Sequence, residues 1–433
     1  MLISWWGALL GLLLAIILIL KKLNPVYSLF LGAIFGCLIG GADFVQTINI
    51  LTKGSQNVMG TVLRVLAAGM LAGVMMDSGA ADVLARTIVA KFGNKMAIFA
   101  LTFATMLITA VGVFIPVAVL IVAPIALEVG ERLKISKLSL LVALSGGGKA
   151  GNIISPNANT IAAAKGFGLQ LSQVMIADFI PAVVALFVAV ATASLIRKKG
   201  SIVNQQDLEL ISESKSKKKQ AQPTFAQALV APIIAIVLLL LNPIGSIFHL
   251  ELLEKFNLDA LYVLPLAAVI GALAMQQGKK LREFALSGVS KMTDVVLILI
   301  GAGAIGATIT SSNLPEMLIQ AIKSSGLSGT LLAPISGILM AAAAASTSTG
   351  VILATGSFAK AILGFGVAPL AAAAMVHTGA IVIDQLPHGN YFHVTANAMH
   401  MDIKERSKAI LYEALVGGSA MLTATILYGF LHL

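Results

Sequence analysis

About fourteen apolar runs follow one another along this chain, most of them close to the length that carries a helix across a lipid bilayer. Of the 433 residues, 58% are hydrophobic and 11% are charged, whereas soluble domains carry about 25% charged residues. This composition excludes an ordinary water-soluble enzyme. It predicts an all-α polytopic membrane protein with about 12 to 14 transmembrane segments embedded in the bilayer. The net charge of +10 reads as topology, because basic residues gather in cytoplasmic connections. No nucleic-acid partner is expected. Cys37 is the single cysteine, so no internal disulfide can form. The opening stretch has Lys21 and Lys22 after its apolar run, not before it, and reads as a retained span with no cleavable signal.

The runs divide evenly around one polar linker. This predicts an N-terminal transmembrane repeat over 1–196, a cytoplasmic basic and mobile linker over 197–224, and a C-terminal transmembrane repeat over 225–433. The linker holds Arg197, Lys198, Lys199, Lys215, Lys217, Lys218 and Lys219 against Asp207, Glu209 and Glu213. The halves also align. Arg64 to Gly93 lies on Leu297 to Gly326, which superposes Gly73 on Gly306 and Ser78 on Ser311; Tyr27 and Gly36 fall on Tyr262 and Gly271. Lys21 and Lys22 place the end of the first span inside. Its counterpart starts from the basic linker, inside, and ends at the acidic Glu251 to Asp259 loop. The copies are therefore expected in opposite orientation, the inverted topology of secondary transporters.

A polar, glycine- or proline-rich stretch at membrane depth survives only when it is buried in protein or lines an aqueous cavity. Ser145 to Thr160 is such a stretch. Gly146, Gly147 and Gly148 are expected to release the backbone from helix geometry, and Pro156 removes a donor. The following residues start a half-helix whose free N–H groups, beside Ser155, Asn157, Asn159 and Thr160, suit a carboxylate. A second stretch, His377 to His393, contains Asp384 and ends near His400. An intramembrane ionisable group is a functional candidate by default. Asp384 and His377 are expected on one helix face, with His388 beyond the Pro387 break and His393 nearby, forming a cluster whose protonation is coupled to substrate. A third site places Ser346, Thr347, Ser348 and Thr349 after five alanines, where the hydroxyls can line a polyol path or pack helices.

Other residues keep two readings. Lys149 either neutralises a substrate carboxylate or snorkels to the interface. Arg64 is either a pairing partner or substrate ligand, or an interfacial anchor. Asp178 sits where a carboxylate favours a helix N-terminus, or it takes part in coupling. Gly32, Gly36, Gly40, Gly69 and Gly73 read as helix contacts. The sequence has neither a His-Glu-x-x-His zinc motif nor a Walker phosphate loop. No metal, no cofactor and no enzymatic activity are expected.

At "SGGGKAGNIISPNANTIAAAKGFG", "AAAAASTSTGVILA" and "MVHTGAIVIDQLPHGNYFHVTA" the sequence resembles the gluconate permease family of proton-coupled sugar-acid symporters, part of the wider ion transporter superfamily. The resemblance covers essentially the whole chain, and Asp384 to Gly389 is its most specific part. It implies uptake of gluconate or a related sugar acid across the bacterial inner membrane, driven by the proton gradient. It also implies re-entrant hairpins and broken helices whose tips meet at a midplane site. By position these tips are Ser155, Asn157, Asn159 and Thr160 in one half and His388, Gly389 and Asn390 in the other. The second tip lacks the Ser-Asn-Thr character of the first, which favours protons over sodium. An ion exchanger or anion exporter of the same superfamily is the alternative, and a homo-oligomer is compatible with either.

Overall fold

The structure, a computed structural model, describes residues 3–205, 207, 222–248, 250, 252, 258–324, 328–387 and 389–432. Most of the basic linker, the acidic loop before Leu258 and His388 lie outside the described residues. Among those described, the secondary structure is helical, with two isolated bridges and no strands. By length and composition, Met59–Asp77, Thr293–Thr310 and Ile403–Phe430 can each cross a membrane alone. Two further pairs do so together and are bent: Ala80–Phe92 with Asn94–Ala110 by 110°, and Leu171–Ala177 with Phe179–Leu195 by 44°. Other apolar runs are shorter helices, such as Trp5–Leu20, Pro25–Ile39 and Ala260–Ala274.

The halves carry the same order of helices. Met59–Asp77, Ala97–Ala110, Ile115–Leu133, Lys137–Ile153 and Ala158–Gly166 are followed in the second half by Thr293–Thr310, Leu332–Ala344, Thr347–Gly364, Pro369–Ala380 and Asn390–Ala398. Packing between the halves is exchanged in the same sense. Phe44–Asn57 packs on Thr293–Thr310, while Leu281–Lys291 packs on Met59–Asp77. Glycine makes both crossings possible. A Cβ on Gly54 would lie 2.2 Å from the Gly303 carbonyl oxygen, and one on Gly288 would lie 2.0 Å from that of Gly69. Within lipid, where tails are as apolar as leucine, such close backbone approach supplies the contact energy that a hydrophobic seam supplies in water.

The glycine triplet behaves differently from the sequence expectation. Gly146, Gly147 and Gly148 lie inside the continuous Lys137–Ile153 helix. Added Cβ atoms would meet Ala189 at 2.5 Å, the Thr102 carbonyl at 2.0 Å and Ile115 at 2.7 Å. The triplet therefore lets three neighbouring elements close on one helix, and backbone release is confined to Ile154 to Asn157, where the proline and the next cap interrupt the hydrogen-bond ladder.

Candidate functional site

Four interruptions break the helices here, and three of them bring the polar residues together. The first is the gap between Lys137–Ile153 and Ala158–Gly166. Asn157, extended at φ −103° and ψ 180°, caps the second helix by accepting from the N–H groups of Asn159 and Thr160 at 2.9 and 3.2 Å. Its amide donates back to the Asn152 carbonyl and side-chain oxygens at 2.9 and 2.7 Å. Two of the N–H groups expected to face a carboxylate are thus occupied by the chain's own cap.

The second interruption is the Ala345–Ser346 turn between Leu332–Ala344 and Thr347–Gly364. Ala345 takes the left-handed conformation at φ 45°, and Ser346 caps the following helix through the Thr349 N–H at 3.3 Å. The third is the non-helical stretch after Pro369–Ala380, leading to Asn390–Ala398. Gly389 lies against the Ala345 turn, where a Cβ would come within 2.4 Å of the Ala345 carbonyl oxygen. That close approach sets Asp384 beside the Ser346 to Thr349 tip. The fourth, Val111 to Phe114 between Ala97–Ala110 and Ile115–Leu133, carries no ionisable side chain.

Lys149 stands at the centre. Its ammonium donates to Asp384 Oδ1, to the Ile381 carbonyl and, at 2.9 Å, to Gln385 Oε1, so all three N–H bonds have acceptors. The Lys149 and Asp384 side chains are 0% and 2% exposed, which rules out snorkelling for Lys149. Thr347 donates its hydroxyl to Asp384 Oδ2, and Ser348 donates to Asn159 Oδ1. Gln385 fixes the stretch by donating to the Val382 and Ile410 carbonyls at 3.2 and 3.0 Å. Beside the break, Ser155 Oγ and Asn152 Nδ2 are buried and lack a hydrogen-bond partner among the described residues. Orphaned buried polar atoms are rare and call for an explanation such as a ligand.

Several expected neighbours are elsewhere. His377 does not share a helix face with Asp384, because its helix ends at Ala380 and Asp384 lies in the non-helical stretch beyond. Its Nδ1 instead meets Asp178 Oδ2 at 2.7 Å, both side chains fully buried, with His377 Nε2 and Asp178 Oδ1 left without partners among the described residues. Asp178 is thus a pairing partner in addition to a helix-start residue. His393 is exposed and contacts the Pro387 carbonyl at 2.8 Å, and Asn390 is exposed at its helix start. Neither joins the buried cluster. His388, expected at the tip, lies outside the described residues. Arg64 pairs with Asp259 through Nε at 2.8 Å. Thr349 and Thr160 are buried near their helix starts, the latter with its hydroxyl 3.3 Å from Asn157 Oδ1.

A further buried charge cluster, unread in the sequence, lies near the C-terminus. Arg406 pairs with Glu413 at 2.7 Å with both side chains fully buried, donates to Thr395 at 2.9 Å and stacks 4.9 Å from the Phe392 ring centroid. Tyr391 also donates to Glu413, at 3.2 Å. Glu413 inside an apolar run was the available signal.

Two helix breaks and a hydroxyl-tipped turn converge on a buried lysine and carboxylate, and interrupted helices meeting at a buried polar region recur in secondary transporters. The family model described as GntP family permease matches residues 2–430. The chain belongs to the GntP permease family. A transporter of Haemophilus influenzae described as uncharacterized is 45% identical over 99% of this permease and 98% of its own length. The gluconate permease of Bacillus subtilis is 22% identical, with 80% of this chain and 82% of that one aligned. A high-affinity gluconate transporter of Escherichia coli is 21% identical over 82% and 81%. In fold, the permease is similar to the crystal structure of the Alcanivorax borkumensis YdaH transporter, with a TM-score of 0.61, 13% identity and coverage of 90% and 91%. This permease is a multi-pass membrane protein of transporter architecture.

Proposed function

We propose that this permease carries gluconate or a related small hydroxylated carboxylate into the cell together with a proton, across the bacterial inner membrane, by alternating access of two inverted repeats. The observation that carries this reading is the buried Lys149–Asp384 pair with Thr347 on its far oxygen. As it stands the pair is neutral. A substrate carboxylate entering alone would bring an uncompensated negative charge into a water-poor site, which is costly. A proton taken up by Asp384 removes that penalty. It also frees the Lys149 ammonium from its carboxylate acceptor, so the substrate carboxylate replaces Asp384 as the counter-ion. Proton and anion then enter together with no change in net charge at the site.

The hydroxylated tail has partners to hand. Ser155 and Asn152 offer unpartnered polar atoms, while Asn159 and Ser348 exchange a hydrogen bond that a substrate hydroxyl can replace. Asn157 and Thr160 hold the rim of this region through the cap. Gluconate in the names of relatives from Bacillus subtilis and Escherichia coli supports the substrate class.

The buried His377–Asp178 pair supports a second reading of coupling, because each residue has an unpartnered atom able to hold or release a proton without touching the substrate. An exchanger or exporter of the same superfamily is the alternative function. Uptake of labelled gluconate into proteoliposomes, with an acidic exterior imposed, separates the cases. A symporter accumulates label against its gradient under that condition. Absence of gradient-driven accumulation, with exchange retained, would reject symport.

A further inference from the structure

A cavity of about 390 Å³ opens between the two halves, away from the buried cluster. Arg64 and Lys165 line it, with Asn57, Thr61, Thr310 and Thr355 as its other polar side chains, and among the described residues no acidic one is in its wall. Arg64 is held on Asp259, with Nε 2.8 and 3.0 Å from the two carboxylate oxygens, and its Nη1 donates to the Gly60 carbonyl at 2.7 Å. Asp259 itself lines the adjoining smaller cavity. Two cations against one carboxylate leave one net positive charge. Lys165 is exposed, and its ammonium makes no hydrogen bond among the described residues.

The cavity and the buried cluster lie along the same two helices, Ala158–Gly166 and Thr347–Gly364. Ala162 and Ile352 line the cavity, each about one helical turn beyond Asn159 and Ser348, which hydrogen-bond to each other between the halves. Gly166 closes the seam on Thr355, where a Cβ would meet the threonine side chain at 2.5 Å. The same two helices therefore border both places.

We propose that this cavity is a second carboxylate station, in which Lys165 and Arg64 hold a hydroxylated acid before it reaches the Lys149–Asp384 cluster. The assignment rests on the sugar-acid reading above. The surplus positive charge selects an anion, and a cleft lined by one sign of charge raises the local concentration of its ligand. Threonine hydroxyls and the Asn57 amide suit a polyol chain. The cavity is large enough for a six-carbon acid, and Asp259 acts as the resident counter-charge that Arg64 exchanges for the ligand.

The test is equilibrium binding of labelled D-gluconate to the purified full chain in detergent, at low and high ionic strength, for the native protein and for Lys165→Gln. The expected result is two classes of site, with the weaker, salt-sensitive class lost in Lys165→Gln and the other retained. In transport, the same variant should raise KM about tenfold at low salt and leave kcat unchanged. One class of site unaffected by Lys165→Gln would overturn the second station and leave the proposed function standing. A salt-sensitive class alone, lost in Lys165→Gln and accompanied by no proton-driven uptake, would support the station and reject symport. No gluconate binding at all would overturn both.

Discussion

Lys149 and Asp384, 235 positions apart in sequence, form an ion pair sealed from solvent between the two halves of the chain. Each charge is held by more than the other. The ammonium also reaches the Ile381 carbonyl and Gln385, and the carboxylate also accepts from Thr347. Breaking the pair leaves a buried charge with incomplete compensation, which makes its retention or release an energetic event of the size a transport cycle can use.

Lys149→Met should destabilise the permease by about 3–5 kcal/mol, the usual cost of stranding one member of a buried pair. The double change Lys149→Met with Asp384→Leu should recover most of that loss and still transport nothing. Thermal unfolding in detergent reads the first quantity and proteoliposome uptake the second. Equal stability of single and double variants would mean that the two charges do not depend on each other.

Thr347→Val keeps shape and removes the hydroxyl donated to Asp384. Losing a hydrogen bond to a charged group costs about 1.5–3 kcal/mol, equivalent to about 10- to 150-fold in an equilibrium. Uptake should fall by at least the lower of these factors. Ser348→Ala, which removes the donor to Asn159, should act mainly on KM. A Thr347→Val protein with native uptake would remove Thr347 from the site.

His377→Gln distinguishes the two buried titratable pairs. His377 and Asp178 bond to each other at 2.7 Å, and among the described residues neither is hydrogen-bonded to Lys149 or Asp384. With the proton on Asp384, the variant keeps gradient-driven accumulation and loses stability by about 1–3 kcal/mol. Complete loss of accumulation, with the folded protein intact, would move coupling to His377 and Asp178.

Asp259, in the wall of the adjoining cavity, is the counter-ion of Arg64 in the cationic one. Burial pushes its carboxyl up, but the Arg64 guanidinium and the Leu261 N–H outweigh burial and hold it below the ordinary 3.8. A depressed carboxyl contributes stability above its unfolded value and loses it only as pH falls through the lower folded value. The Asp259 carboxylate therefore stays charged from about pH 5 to 8. Asp259→Asn should change KM without moving the pH profile of uptake in that window. A shifted midpoint would assign part of the proton response to this pair.

The broad architecture was legible because lipid imposes a strong pattern on sequence. Apolar runs, the Ser155 to Asn157 break and the hydroxyl tip at Ser346 all follow from the rule that free backbone at membrane depth must be buried. Partner choice was not legible. His377 and Asp384 would share one face of an uninterrupted helix, but the helix ends at Ala380. The Gly146 to Gly148 triplet has the same ambiguity, since glycine both breaks helices and lets them touch; the neighbours Ala189, Thr102 and Ile115 decide it, and they come from distant elements. Lys149 found its acceptor 235 positions away, a pairing that charge spacing along one chain does not reveal.

The proton role of Asp384 is tested most directly by gluconate uptake into proteoliposomes holding native protein or Asp384→Asn, with and without an acidic exterior. The native protein should accumulate label above equilibrium only when the pH gradient is imposed. Asp384→Asn should equilibrate label down its own gradient and show no response to pH. Accumulation by Asp384→Asn at the native level would contradict the exchange of Asp384 for the substrate carboxylate on Lys149.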